Sequence, residues 1–150
     1  MANFDELTEY LGTLLAQLSE AERRTLEMSI VRKLRASQRI RITKQQNPDG
    51  SSYTPRKNLR ARKGKIKQKM FMKLKTAKFM KIEKIPDGVT IGFDQRVSRL
   101  ARIHQDGLID TLKYNGRTFK VRYAQRILLG FTDAEIEMFE HEALNFLNSK

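Results

Sequence analysis

The chain has 150 residues, of which 39% are hydrophobic and 31% charged, the size of one ordinary domain with apolar material for one modest core. It contains no cysteine, which excludes a disulfide scaffold and a cysteine-ligated metal site, and apolar runs such as Ile127-Leu128-Leu129 are far too short to span a bilayer. The formal net charge is +13, with 13 basic side chains and one acidic between residues 54 and 84 and an acidic excess at both ends, a pattern that suggests a polyanion-facing centre.

Phe4, Leu7, Leu11, Leu14, Leu15 and Leu18 recur every three or four residues and predict an amphipathic helix over 4–18. Asp5, Glu6 and Glu9 in its first turns do not fit a secretory signal, so folding in a reducing cytoplasm is expected. Ser19 and Glu22 have the spacing of a capping box, which opens a second helix carrying Leu26, Ile30, Val31 and Leu34. It is expected to end near residue 45, where Arg39, Arg41 and Lys44 suit the negative end of the helix dipole. Asn47-Pro48-Asp49-Gly50 then reads as a tight turn. From Thr54 to Lys65 nothing apolar recurs except Leu59, so residues 47–65 read as a basic arm, either mobile or held by a partner.

Ile66, Met70, Leu74 and Ala77 resume helical spacing, and Pro86-Asp87-Gly88 joins Lys81–Ile85 to Val89–Phe93 as a hairpin. Val97, Leu100, Ala101 and Ile103 predict a short helix closing near Gly107, and Thr118–Tyr123 alternates as a further strand. Thr132 and Glu135 form a second capping box before a last helix with the stripe Ile136, Phe139, Ala143, Phe146 and Leu147. The expected class is α+β in a single domain over 1–150: an N-terminal helical pair, a basic arm, a small antiparallel sheet with a short helix, and a C-terminal helix.

Little in the sequence suggests catalysis. His141 lies among Glu137, Glu140 and Glu142 and reads as part of a solvated acidic face, while His104, near the end of the short helix, reads as a structural histidine that hydrogen-bonds the turn or as a functional one. No serine stands in a nucleophile elbow, and Gly64-Lys65 lacks the rest of a phosphate loop. No catalytic, metal-ligating or cofactor-binding residue is assigned. Arg56, Lys57, Arg60, Arg62, Lys63, Lys65, Lys67 and Lys69 are the candidate contacts to DNA or another polyanion, the bland alternative being a solubilising face. Phe71, Phe79, Met70, Met72 and Met80 read as core filler rather than a base-stacking platform.

Three signatures stand in order: Gln45-Gln46-Asn47-Pro48-Asp49-Gly50 with Tyr53 after it, Ala101-Arg102-Ile103-His104-Gln105-Asp106-Gly107-Leu108, and Tyr123-Ala124-Gln125-Arg126-Ile127-Leu128-Leu129-Gly130-Phe131. With Lys69–Leu74 between the first two, they resemble the virion-morphogenesis or tail-completion family of temperate contractile-tailed bacteriophages, over nearly the whole chain. The one departure is Gln125-Arg126-Ile127, where the family pattern suggests a proline after the arginine.

The resemblance implies a structural virion protein at the neck, the head-proximal end of the tail, that joins the finished tail to the filled head. It implies a homo-oligomeric ring, with a hexamer matching the tail's symmetry. Neighbouring tail-end and head-connector proteins would be its partners, with double-stranded DNA passing through and no membrane. The alternatives are a non-specific nucleic-acid-binding protein and a non-virion assembly factor. On this resemblance Pro48, Asp49 and Gly50 fix where the arm leaves the long helix, and Tyr53 packs its base. His104, Gln105 and Gly107 close the short helix against Arg126 to Gly130, with Leu128 and Leu129 buried in the subunit or between subunits.

Overall fold

The computed structural model describes residues 9, 12, 13, 16–57 and 69–149. Among these, the elements in chain order are α1 (Glu20–Thr43), β1 (Met80–Ile85), β2 (Gly88–Phe93), α2 (Gln95–Asp106), β3 (Ile109–Tyr114), β4 (Arg117–Arg122) and α3 (Asp133–Asn148). The class is α+β, and the strands form two separate two-stranded sheets, β1-β2 and β3-β4. The helix expected over 4–18 lies largely outside the described residues. Among the described residues no helix is long and apolar enough to cross a membrane.

Each helix begins and ends for a local chemical reason. The N–H of Glu22 donates to Ser19 Oγ at 3.2 Å, opening α1. At its other end Gln45 adopts a left-handed φ of 56°, its N–H reaches Ile42 O at 2.9 Å, and Gln46 N–H reaches Arg41 O at 3.2 Å. This is the double bond pattern of a Schellman stop, with glutamine where glycine is usual. Asp94 accepts the N–H of Arg96 at the start of α2, and Gly107, with φ 64°, closes it by donating to Ile103 O. Thr132 and Glu135 exchange side-chain and backbone bonds at 3.1 and 2.8 Å in a complete capping box before α3.

The segment from Met70 to Ala77 corrects the sequence reading, Ile66 lying outside the described residues. Residues 72–79 run as successive turns rather than a helix, held by Lys75 N–H to Phe71 O at 3.1 Å, Thr76 N–H to Lys73 O at 3.1 Å and Met80 N–H to Thr76 O at 2.8 Å. Met70, Leu74 and Met80 are nonetheless buried, so the apolar spacing reports burial and not helical pitch. Strand β3 is absent from the sequence reading because Asp110 interrupts its alternation. The signal for it is Asn115-Gly116, whose φ values of 50° and 71° make the two-residue turn of the β3-β4 hairpin.

The chain divides into two compact units. The first comprises residues 1–37, 82–92 and 131–150. Its buried side chains include Leu26, Val31, Leu34, Ile136 and Ala143. Ser37 Oγ donates to Glu135 at 2.6 Å, and Glu142 takes the ammonium of Lys33. The second comprises residues 38–81 and 93–130 and buries Ile42, Tyr53, Met70, Met80, Ala101, Ile103 and Leu128.

Candidate assembly site

In the second unit, an irregular segment from Arg126 to Gly130 is gripped by side chains rather than by a strand partner. The N–H groups of Leu128 and Leu129 both donate to Gln105 Oε1, at 2.8 and 3.0 Å, and Gln105 Nε2 donates back to Leu129 O at 2.7 Å. Gln38 repeats the arrangement on Gly130, accepting its N–H at 3.2 Å and donating to its carbonyl at 2.8 Å. Asn47 Oδ1 accepts Ile127 N–H at 2.9 Å, and Tyr53 Oη donates to Ile127 O at 2.8 Å. Arg41 donates to Ile127 O and Leu128 O, each at 2.9 Å. Buried backbone groups must be paired, and here carboxamides and one guanidinium serve where a neighbouring strand would otherwise be required.

Packing closes the same site. Leu128 is fully buried and Leu129 half-buried. A Cβ on Gly130 would lie 2.6 Å from Cγ of Pro48, so only glycine lets the Asn47–Ser51 turn approach this segment. That turn is set by Gly50 N–H to Asn47 O at 2.9 Å, and Asp49 accepts Ser51 N–H at 2.8 Å. The bonds from Ser51 hold the Asp49 carboxyl below the ordinary carboxylate range.

His104 is buried at the edge of the site. Arg126 Nη1 lies 3.1 Å from its Nδ1, and Arg126 N–H donates to its carbonyl at 2.8 Å. Its ring meets Phe71 at 4.8 Å and Tyr123 at 5.1 Å between centroids, both edge to face. Burial, then the positive fields of Arg126 and Arg56, pushes the imidazole pKa down to about 4. Arg126 continues to Thr54 O at 2.8 Å and Pro55 O at 3.2 Å, which fixes the chain just before Arg56.

Gln45 anchors both sides of the basic stretch. Its carbonyl accepts Tyr53 N–H at 2.7 Å, and its carboxamide accepts Met70 N–H at 2.7 Å while donating to Met70 O at 2.8 Å. Of the candidate cations, Arg56, Lys57 and Lys69 are exposed at these two anchored ends, and Arg60, Arg62, Lys63, Lys65 and Lys67 lie outside the described residues. Pro48, Asp49, Gly50, Tyr53, His104, Gln105, Gly107, Arg126, Leu128, Leu129 and Gly130 all belong to this one unit. The reading of the sequence missed Gln38, placed Arg41 only at the helix dipole and Gln45 only in the first signature, and gave neither of these two a bonding role. A signal for Gln38 existed, since it continues the α1 stripe between Leu34 and Ile42, all three buried, as the one polar residue on an apolar line.

The three sequence signatures therefore meet in space, and known proteins share the chain that carries them. The chain is 35% identical over 150 residues to tail completion protein S of Escherichia phage P2, covering 98% of this chain and 99% of that one. No solved structure matches it. The model of the phage virion morphogenesis family matches residues 2–148, and the chain belongs to that family.

Proposed function

We propose that the chain is a structural virion protein that completes the tail of a contractile-tailed phage. It forms a ring, six copies in a single cyclic closure, at the head-proximal end of the tail, and there joins the tail to the head late in assembly. The observation that carries this reading is the end-to-end similarity to tail completion protein S, at 35% identity with neither chain extending far beyond the other. The chain acts as one domain over 1–150, in the virion, beside tail-end and head-connector proteins. Its role is mechanical, and no residue is assigned to catalysis.

In this reading the basic arm at 47–65 and the lysines after it, Lys67 and Lys69, meet the phosphates of DNA passing through the ring. The anchored ends support it: Gln45 and Arg126 grip the backbone on either side of the stretch, where Arg56, Lys57 and Lys69 stand exposed. The knot of Pro48, Gln105, Leu128 and Gly130 sets the direction in which the arm leaves.

The test is quantitative mass spectrometry of purified particles against the tail-tube protein, with wild type and Leu128→Asp compared. A fixed ratio near six copies, lost in the variant together with infectivity, is expected. Particles that form normally and lack the chain overturn the reading. The concentration of 13 basic side chains in residues 54–84 favours one second reading, a free non-specific nucleic-acid-binding protein. That reading requires an affinity falling with salt at a log-log slope of roughly −0.9 per phosphate contacted, and a flat response removes it. A third role, a non-virion assembly factor, requires the chain during assembly and its absence from finished particles.

A further inference from the structure

The β3-β4 hairpin has two unlike faces, because side chains alternate along a strand and the register aligns them across the pair. Asp110, Leu112, Phe119 and Val121 fall on one face, and Thr111, Lys113, Thr118, Lys120 and Arg122 on the other. The base of the hairpin turns the first face toward the rest of its unit. Arg99 of α2 engages Asp110, and the ring of Tyr123, two residues beyond Val121 in the same alternation, meets His104 at 5.1 Å between centroids. The second face is left to solvent, and all five of its polar side chains are exposed.

The chemistry of this outer face selects what it meets. It carries three cations and two hydroxyls and no carboxylate, since the hairpin's single acid, Asp110, is on the other side. Among the described residues no ion pair engages Lys113, Lys120 or Arg122. The face has no apolar centre of the kind that holds a protein partner, because Ile109, its one large apolar residue, lies at the base. Cations backed by hydroxyls are the side-chain donors that proteins offer to backbone phosphates. Lys120 and Arg122 stand two residues apart on one strand, about 7 Å, and Lys113 lies diagonally across from Lys120 at about 7–8 Å. Cations in even steps match a regular row of anions, which each DNA strand presents whatever its sequence. A two-stranded ribbon is also narrow enough to lie along the major groove, between the two backbones.

We propose that this outer face of the β3-β4 hairpin is a contact to double-stranded DNA, separate from the basic arm. Lys113, Lys120 and Arg122 each neutralise a backbone phosphate, and Thr111 and Thr118 donate their hydroxyls to the same backbone. No base edge is read, so the contact is indifferent to sequence and sensitive to salt. The proposal rests on the reading of DNA as the chain's polyanion and adds a second element of the fold that meets it.

The test is binding of the full chain to a short DNA duplex of arbitrary sequence, followed by fluorescence anisotropy across a salt series. Lys113→Gln with Lys120→Gln and Arg122→Gln is expected to weaken binding roughly ten-fold and to make the log-log salt slope shallower by about 2.7, at roughly 0.9 for each lost phosphate contact. Lys113→Arg with Lys120→Arg and Arg122→Lys keeps the charges and is expected to bind as wild type, which separates lost contacts from a lost fold. Arg23→Gln with Arg32→Gln and Lys84→Gln removes the same charge from exposed or half-exposed positions of the first unit and is expected to leave the slope unchanged. An equal loss in both neutralised chains would make the hairpin's cations general solubilising charge and overturn the proposal. A neutralised hairpin that binds as wild type also overturns it, and if Arg56→Gln with Lys57→Gln and Lys69→Gln then abolishes binding, the reading of the arm stands. Unchanged DNA binding with fewer copies per particle would assign the face to an acidic protein instead. A wild-type chain that does not bind the duplex overturns both the proposal and the reading beneath it.

Discussion

Nη1 of Arg126 sits 3.1 Å from Nδ1 of His104, and a guanidinium can only donate, so the imidazole is neutral and carries its proton on Nε2. Protonating Nδ1 would place two cations face to face in a buried site, which agrees in direction with the histidine's lowered pKa, about 4.

Stability should therefore fall on acidification well before carboxylates matter. The unfolded histidine takes up a proton near its ordinary 6.5, the folded one only near 4, so between those values the unfolded state binds the extra proton and gains. Asp94, held near 2 by Arg96, and Asp49, also lowered, add their losses only below the usual 3.8, and Glu142, lowered by Lys33, only below 4.5. Urea midpoints between pH 4.5 and 7 are expected to drop toward the acid side, and His104→Gln is expected to flatten that slope.

Gln105→Ala strips partners from Leu128 N–H, Leu129 N–H and Leu129 O together. Unpaired backbone groups set the cost at about 2–4 kcal/mol by urea denaturation. Gln125→Ala, an exposed carboxamide with one 3.2 Å bond, is the control expected to lose under about 0.5 kcal/mol.

Gly130→Ala drives a methyl into Pro48 Cγ and is expected to cost about 1–3 kcal/mol. Adding Pro48→Ala removes the clashing Cγ and leaves Pro48 Cβ's position, 3.6 Å from the new methyl, in ordinary contact. A double-mutant cycle should then show a favourable coupling. Strict additivity would mean that the two residues do not compete for this space.

Gln45 combines a left-handed φ of 56° with the clasp on Met70. Gln45→Ala keeps the backbone strain and loses the clasp, whereas Gln45→Gly loses the clasp and relieves the strain. Glycine is expected to be the more stable of the two by about 1 kcal/mol in thermal or urea unfolding.

At α3, Thr132→Ala removes the acceptor for Glu135 N–H and should cost about 1 kcal/mol, and Thr132→Gly only a few tenths more than wild type. Thermal melts of the three chains order them.

The capped elements were legible because caps are local. Ser19 with Glu22, Gly107 and Thr132 with Glu135 each stop or start a helix within four residues of sequence, and the structure uses every one. The turns at 72–79 were misread because Met70, Leu74 and Met80 are buried for tertiary reasons that mimic a helical period. The motif residues were found through the three signatures and their resemblance to a known family. The bonding roles of Gln38, Arg41 and Gln45 were not legible, since a polar side chain at the end of a basic helix looks solvent-facing until the backbone it bonds, dozens of residues away, is in place.

A β-ladder is indifferent to side-chain identity, because main chain pairs with main chain and almost any residue keeps the bond. The stretch from Ile127 to Gly130 has little such freedom: its carbonyls and amides are answered by specific carboxamides, a phenol and a guanidinium, so the letters themselves are the scaffold. Substitution there erases bonds instead of merely repacking around them. Two of the three signatures, Gln45–Gly50 and Tyr123–Phe131, fall where the chain has no regular secondary structure, and the third, Ala101–Leu108, closes α2.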